Sequence, residues 1–145
     1  MRLLQLLSLL TLLLPAATTA SAQAAPSADE AAVRTVVTAY LHGLKFNDVP
    51  SLKRAFYPEA RLFFRTKDGH LGQLSQEDWY KGFVTVAGQE EKGDLRIASL
   101  EITRDIATVK VIEDYPTSRY TDYIVLVQFD GGWQIVSKVY TAEKR

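Results

Sequence analysis

The stretch Tyr120–Tyr140, YTDYIVLVQFDGGWQIVSKVY, is where the fold is decided. Two runs rich in Val, Ile and Tyr flank Asp130-Gly131-Gly132, the composition of two antiparallel strands joined by a tight turn. Side chains alternate across a strand, so the first run carries Thr121, Tyr123, Val125, Val127 and Phe129 on one face and Tyr120, Asp122, Ile124, Leu126 and Gln128 on the other. The same alternation puts Trp133, Ile135 and Val139 on one face of the second run and Val136, Lys138 and Tyr140 on the other. Both faces are largely apolar, so both should be covered, one by helices and the other by a second subunit. Asp122 is an acid in an apolar strand. Burying it costs free energy unless Lys138, Arg119 or a tyrosine hydroxyl partners it.

Working upstream, Arg96–Arg104 and Ile106–Tyr115 form a second hairpin pair, separated by Arg104-Asp105. Earlier the period changes. Val33, Val36, Val37, Tyr40, Leu41 and Leu44 recur at helical spacing, and Asp29 and Glu30 suit the positive end of a helix dipole, which predicts a helix over Asp29–Phe46. Asp48 and Pro50 open a short second helix with Leu52, Ala55 and Phe56 on its apolar edge. Ala60, Leu62 and Phe64 alternate with Arg61, Phe63 and Arg65 as in a half-buried strand, and Lys67–His70 makes a turn. Ser75 and Asp78 resemble a capping box for a third helix carrying Trp79, Phe83 and then Val86 or Ala87. Gly88–Gly93 is a polar loop. Helices first and strands afterwards predict an α+β domain with helices on one face of a mostly antiparallel sheet.

The N-terminus has a different character. Arg2, an apolar run of about twelve residues from Leu3 to Leu14, Pro15 and the small residues ending Ala20-Ser21-Ala22 have the order of a secretory signal peptide. The run is short of the ~20 residues a spanning helix needs, so export with cleavage near Ala22 is expected rather than a membrane anchor. The domains expected are a signal peptide at 1–22, a linker at 23–28 and a folded domain at 29–145.

Composition excludes several function classes. Seventeen basic residues balance seventeen acidic ones with no basic tract, which argues against a nucleic-acid surface. There is no cysteine, and His42 and His70 share no face, so neither disulfides nor a metal site are expected. No G-x-S-x-G elbow supports a nucleophilic serine, and no glycine-rich loop leads into a helix to hold phosphate. No cofactor is expected.

The segments DVPSLKRAFYPEARLF, IASLEITRDIATVKV and the opening hairpin resemble the nuclear transport factor 2-like (SnoaL-like) superfamily, and within it the small bacterial proteins of the "Putative lumazine-binding" family. The resemblance covers Asp29 to about Tyr140. It implies a cone: N-terminal helices packed on a strongly curved, mostly antiparallel sheet, with a homodimer formed through the outer sheet face. It also implies a cavity for a small aromatic or heterocyclic molecule. Tyr40, Phe63, Trp79, Phe83 and Tyr123 are the rings expected to line it, with Asp122 and Lys138 orienting polar groups. For each ring alone, ordinary core packing is the competing reading, and for Asp122 a structural ion pair between strands.

Three functions stay open: an exported small-molecule binder, a ligand-free structural homodimer, and an Asp-dependent isomerase- or dehydratase-like enzyme. Asp122 is the one candidate for catalysis, as a general acid or base in an apolar pocket. The strands hold no histidine, unlike the Asp–His enzymes of this fold.

Overall fold

The structure, a computed structural model, describes residues 27–145; the expected signal peptide and most of the linker lie outside them. The elements are α1 (Ala28–Lys45), α2 (Val49–Ala55), β1 (Phe56–Arg65), β2 (Leu71–Ser75), α3 (Gln76–Lys81), β3 (Asp94–Thr103), β4 (Ile106–Asp114), β5 (Ser118–Phe129) and β6 (Gly132–Lys144). Among the described residues no helix is long and apolar enough to cross a membrane.

Ser27 starts α1 by accepting the Glu30 amide at 3.1 Å. Val33, Val37, Tyr40 and Leu44 form its buried stripe. The helix stops where Asn47 turns left-handed (φ 50°) and the Asp48 amide donates to the Gly43 carbonyl at 2.8 Å. At Gly43 a Cβ would overlap Leu52, so the two helices meet there backbone to side chain.

The six strands form one open sheet in the order β2-β1-β6-β5-β4-β3. Only β1 and β6 run parallel; every other pair is antiparallel. The helices cover the concave face, where Leu62, Val109, Val111, Ile124, Leu126 and Ile135 are all buried. This is the expected cone of helices on a curved sheet.

Three details depart from the sequence reading. Five-residue β2 was not expected as a strand, because a short edge strand with exposed Leu71 and central Gly72-Gln73 carries little periodic signal. The third helix ends at Lys81 rather than continuing to Ala87, and Phe83 packs on the core from the turns that follow. Finally, β6 carries a bulge. Val125 pairs with Ser137 while Leu126 pairs with Ile135, leaving Val136 as an extra residue. The alternation changes phase there. Ile135 and Lys138 both face inward, and Val139, expected to share a face with Ile135, is turned outward.

Candidate functional site

The concave face is closed at one end and hollow at the other. At the closed end the Trp133 indole N–H and the Gln128 amide both reach Asp29 Oδ1, at 3.5 and 3.2 Å, tying the start of α1 to the β5–β6 turn. At the other end a cavity of about 710 Å³ opens between the C-terminal half of α1, α3, the 88–93 loop and β4–β6. Trp79, Phe83, Tyr115, Tyr120 and Tyr140 supply rings to its wall, and Glu113 and Lys138 supply titratable groups. Lys45 braces the loop by donating to the Glu91 carbonyl at 2.6 Å, and Asn47 does so by donating to the Gln89 carbonyl at 2.8 Å.

At the base of the cavity lies a buried cluster, two of whose members, Glu113 and Lys138, reach its wall. Each member arrives by strand alternation or helical period: Tyr40 closes the buried stripe of α1, Glu113 continues the inward series Ala107, Val109, Val111, and Asp122 heads Ile124 and Leu126. Register places Asp122 between Val111 and Tyr140. Lys138 Nζ lies 3.0 Å from Asp122 Oδ2 and donates to Tyr40 Oη at 3.0 Å. The Tyr40 hydroxyl donates to Asp122 Oδ2 and lies 3.0 Å from Glu113 Oε1.

Counting protons fixes the charge of this group. Tyr40 has one hydroxyl proton and two carboxyl oxygens within its reach, so it satisfies only one of them. Asp122 Oδ1 is buried without a donor, and Glu113 is its neighbouring carboxyl. A proton held on Glu113 removes both conflicts. Burial, then the nearby Asp122 carboxylate, push the Glu113 carboxyl up to about 8, against the opposing pull of Lys138. The cluster is therefore an Asp122–Lys138 ion pair beside a neutral Glu113. Burial, then the neighbouring acids Asp122 and Glu113, hold the Tyr40 phenol well above its ordinary range. Burial, with Glu113 next, also raises Tyr115, whose hydroxyl lies 3.4 Å from Glu113 Oε2.

Lys138 stands among rings: its Nζ is 4.8 Å from the Tyr140 centroid, 5.1 Å from Trp79 and 5.4 Å from Tyr40. One residue along β4 from Glu113, Asp114 points the opposite way. It pairs with Arg96 at 2.9 Å, Arg119 at 2.5 Å and Arg145, and these guanidiniums hold its carboxyl far below the usual range.

Of the residues singled out in the sequence, the structure brings together Tyr40, Trp79, Phe83, Asp122 and Lys138. It places Phe63 and Tyr123 elsewhere. Both lie on the convex face, in one transverse row with Val139, and Tyr123 is 55% exposed beneath Lys110. The sheet itself separates these two rings from the cavity. The sequence reading missed Glu113, Tyr115, Tyr120 and Tyr140 as parts of the site. For Glu113 the signal was present, since it stands two residues beyond Val111 in an alternating series. His42 and His70 are both exposed beside acids, Asp48 and Asp68. Among the described residues no group of His, Cys, Asp and Glu has the form of a metal site. A second hollow, of about 840 Å³, lies outside the helices against Pro50, Tyr80 and Val84, and its lysines, Lys53 and Lys81, are solvated.

Comparison with known proteins gives a consistent picture. A family model described as "Putative lumazine-binding" matches residues 28–141. A curated relative, the aldolase FrzH of a Cladobotryum species, is 25% identical over 120 residues, covering 82% of this chain and 95% of its own. Among solved structures, a nuclear transport factor 2-like protein of unknown function from Silicibacter pomeroyi is 28% identical, with a TM-score of 0.68 over 78% of this chain and 94% of that one. A similar protein of unknown function from Shewanella baltica is 24% identical, with a TM-score of 0.71 over 78% and 92%.

Proposed function

The chain belongs to the "Putative lumazine-binding" family, on the nuclear transport factor 2-like fold, and from that membership we propose that it is an exported protein that binds a small flat aromatic or heterocyclic molecule. The observation that carries this reading is the pairing of a ring-lined cavity with a neutralised ionic cluster at its base. The rings of Trp79, Tyr120 and Tyr140 offer area for stacking. The Glu113 carboxyl and the Tyr115 hydroxyl offer hydrogen bonds at the wall. Lys138 and Asp122 set the local field without presenting a net charge.

Trp79 makes the test direct, because a stacked ligand quenches its fluorescence. Titrating a pteridine such as lumazine into the protein should give saturable quenching that is lost in Trp79→Leu. Native mass spectrometry of protein from the exported fraction should find a retained mass that disappears on denaturation. Failure of both measurements rejects the reading in favour of a ligand-free structural cone.

The same reading includes export with cleavage near Ala22 and a homodimer formed through the convex face. Tyr123, Val139 and Ile106 are exposed there, about half of each side chain facing solvent (55%, 48% and 48%), which supports covering by a second copy.

A second reading, catalysis, is favoured by the aldolase relative and by the acid within the cavity wall. Asp122 is 0% exposed, so an Asp-dependent proton shuttle would reach a substrate through Tyr40 and Glu113. Turnover of a carbonyl substrate that survives Glu113→Gln unchanged would reject that route.

A further inference from the structure

Lys138 has more hydrogen-bonding capacity than its partners use. Its side chain is 6% exposed, yet it forms part of the cavity wall. Of its three N–H groups, one meets Asp122 Oδ2 and one meets Tyr40 Oη, each at 3.0 Å. The rest of its surroundings are the faces of Tyr140 and Trp79. An ion pair kept for stability alone is a poor use of this position, since apolar residues of similar volume commonly do as well. The amine has an immediate proton acceptor in Asp122, a hydroxyl bridge in Tyr40 and, across that bridge, a carboxyl that holds a proton at the cavity wall.

We propose that Lys138 is a nucleophilic amine that condenses with the carbonyl group of an aromatic aldehyde or ketone held in this cavity, forming an imine. The proposal rests on the cavity being the ligand site. Nζ first passes a proton to Asp122 Oδ2, which frees its lone pair. The lone pair attacks the carbonyl carbon, the π electrons move to oxygen, and that oxygen takes the proton of Glu113. The Glu113 carboxylate then removes one proton from the nitrogen and returns it to the new hydroxyl. The C–O bond breaks, water leaves, and the nitrogen lone pair closes the C=N bond. The proton parked on Asp122 travels through Tyr40 to Glu113. The balance is one lysine ammonium and one carbonyl in, one iminium and one water out, with both carboxyls as they began. The same burial that hides the amine slows hydrolysis of the imine.

The test uses 2-naphthaldehyde as a flat carbonyl probe and cyanoborohydride, which reduces imines and leaves the aldehyde. Peptide mass spectrometry then locates the reduced adduct. The expected result is labelling of Lys138 ahead of the exposed Lys53 and Lys81, absent in Lys138→Arg and slowed by about 100-fold in Glu113→Gln. Label spread over the exposed lysines with Lys138 unmodified overturns the proposal, and so does labelling of Lys138 at the same rate in Glu113→Gln. Quenching of tryptophan fluorescence by 2-naphthol, which has no carbonyl, separates the two readings. Binding of 2-naphthol without any Lys138 adduct from the aldehyde overturns the imine and leaves the ligand site standing. Loss of both overturns both.

Discussion

The two ends of the concave face are built from the same strands and behave differently. At the closed end β5 and β6 present Ile124, Leu126, Trp133 and Ile135 to α1, all buried and apolar. A few residues along the same ladder the inward positions become Asp122, Lys138, Tyr120 and Tyr140, and the space above them is hollow. The closed end is held by burial, which is non-directional and tolerates repacking. The hollow end is held by donor–acceptor geometry, in which a member left unpaired is costly. The fold thus gives one half of its inner face an apolar seal and the other a hollow, polar wall.

Substitutions can break that division, and the largest effect should come from Asp122→Ala. It leaves Lys138 buried without a counter-charge, which costs about 3–5 kcal/mol of stability in urea unfolding. Leu126→Ala at the closed end should cost about 3 kcal/mol by cavity formation. Unlike Asp122→Ala, it should leave ligand quenching of Trp79 unchanged; if both variants lose ligand alike, the two ends are not separate.

An effect that is smaller per pH unit sharpens the hollow end. Glu113 keeps its proton up to about 8 when folded, whereas an unfolded glutamate releases it near ~4.3. Between those values the folded state holds the extra proton. The stability it contributes is full below the unfolded value and is lost as pH rises toward the folded one. Wild-type protein should therefore lose stability relative to Glu113→Gln across that window, by no more than about 1.4 kcal/mol per pH unit. A difference that does not change with pH would place the charge of this cluster elsewhere. The smallest stability effect should come from the convex face. Val139→Glu should change unfolding by less than about 0.5 kcal/mol while converting a dimer to monomer in analytical ultracentrifugation.

Most of the fold was legible because its signals are periodic. The helical stripe of α1 and the alternating runs of β3–β6 are where the structure puts them. The partners of Asp122 were legible too, since a buried acid requires a cation and a hydroxyl, and Lys138 and Tyr40 meet that need. Which face was inside was not legible. Tyr123 and Asp122 sit on equally apolar-looking faces, and only the placement of α1 decides between them. The bulge at Val136 was invisible because nothing in its composition marks an extra residue. Glu113 escaped notice because an acid at a strand end looks solvated, although its two-residue spacing from Val111 placed it inside.

Glu113 and Asp114 are consecutive, and the pleat sends them to opposite environments. One is kept protonated against another carboxyl, and the other is kept ionised by three arginines. Sliding β4 by one residue would exchange them. Each acid would then take the protonation state of its new surroundings, because the environment and not the residue sets the charge. Hydrophobic alternation alone would penalise such a slip gradually, side chain by side chain. The two acids add little to that penalty because like side chains trade places, so the inward run of Ala107, Val109 and Val111 sets the alignment of β4, and the cavity inherits its geometry from that apolar run.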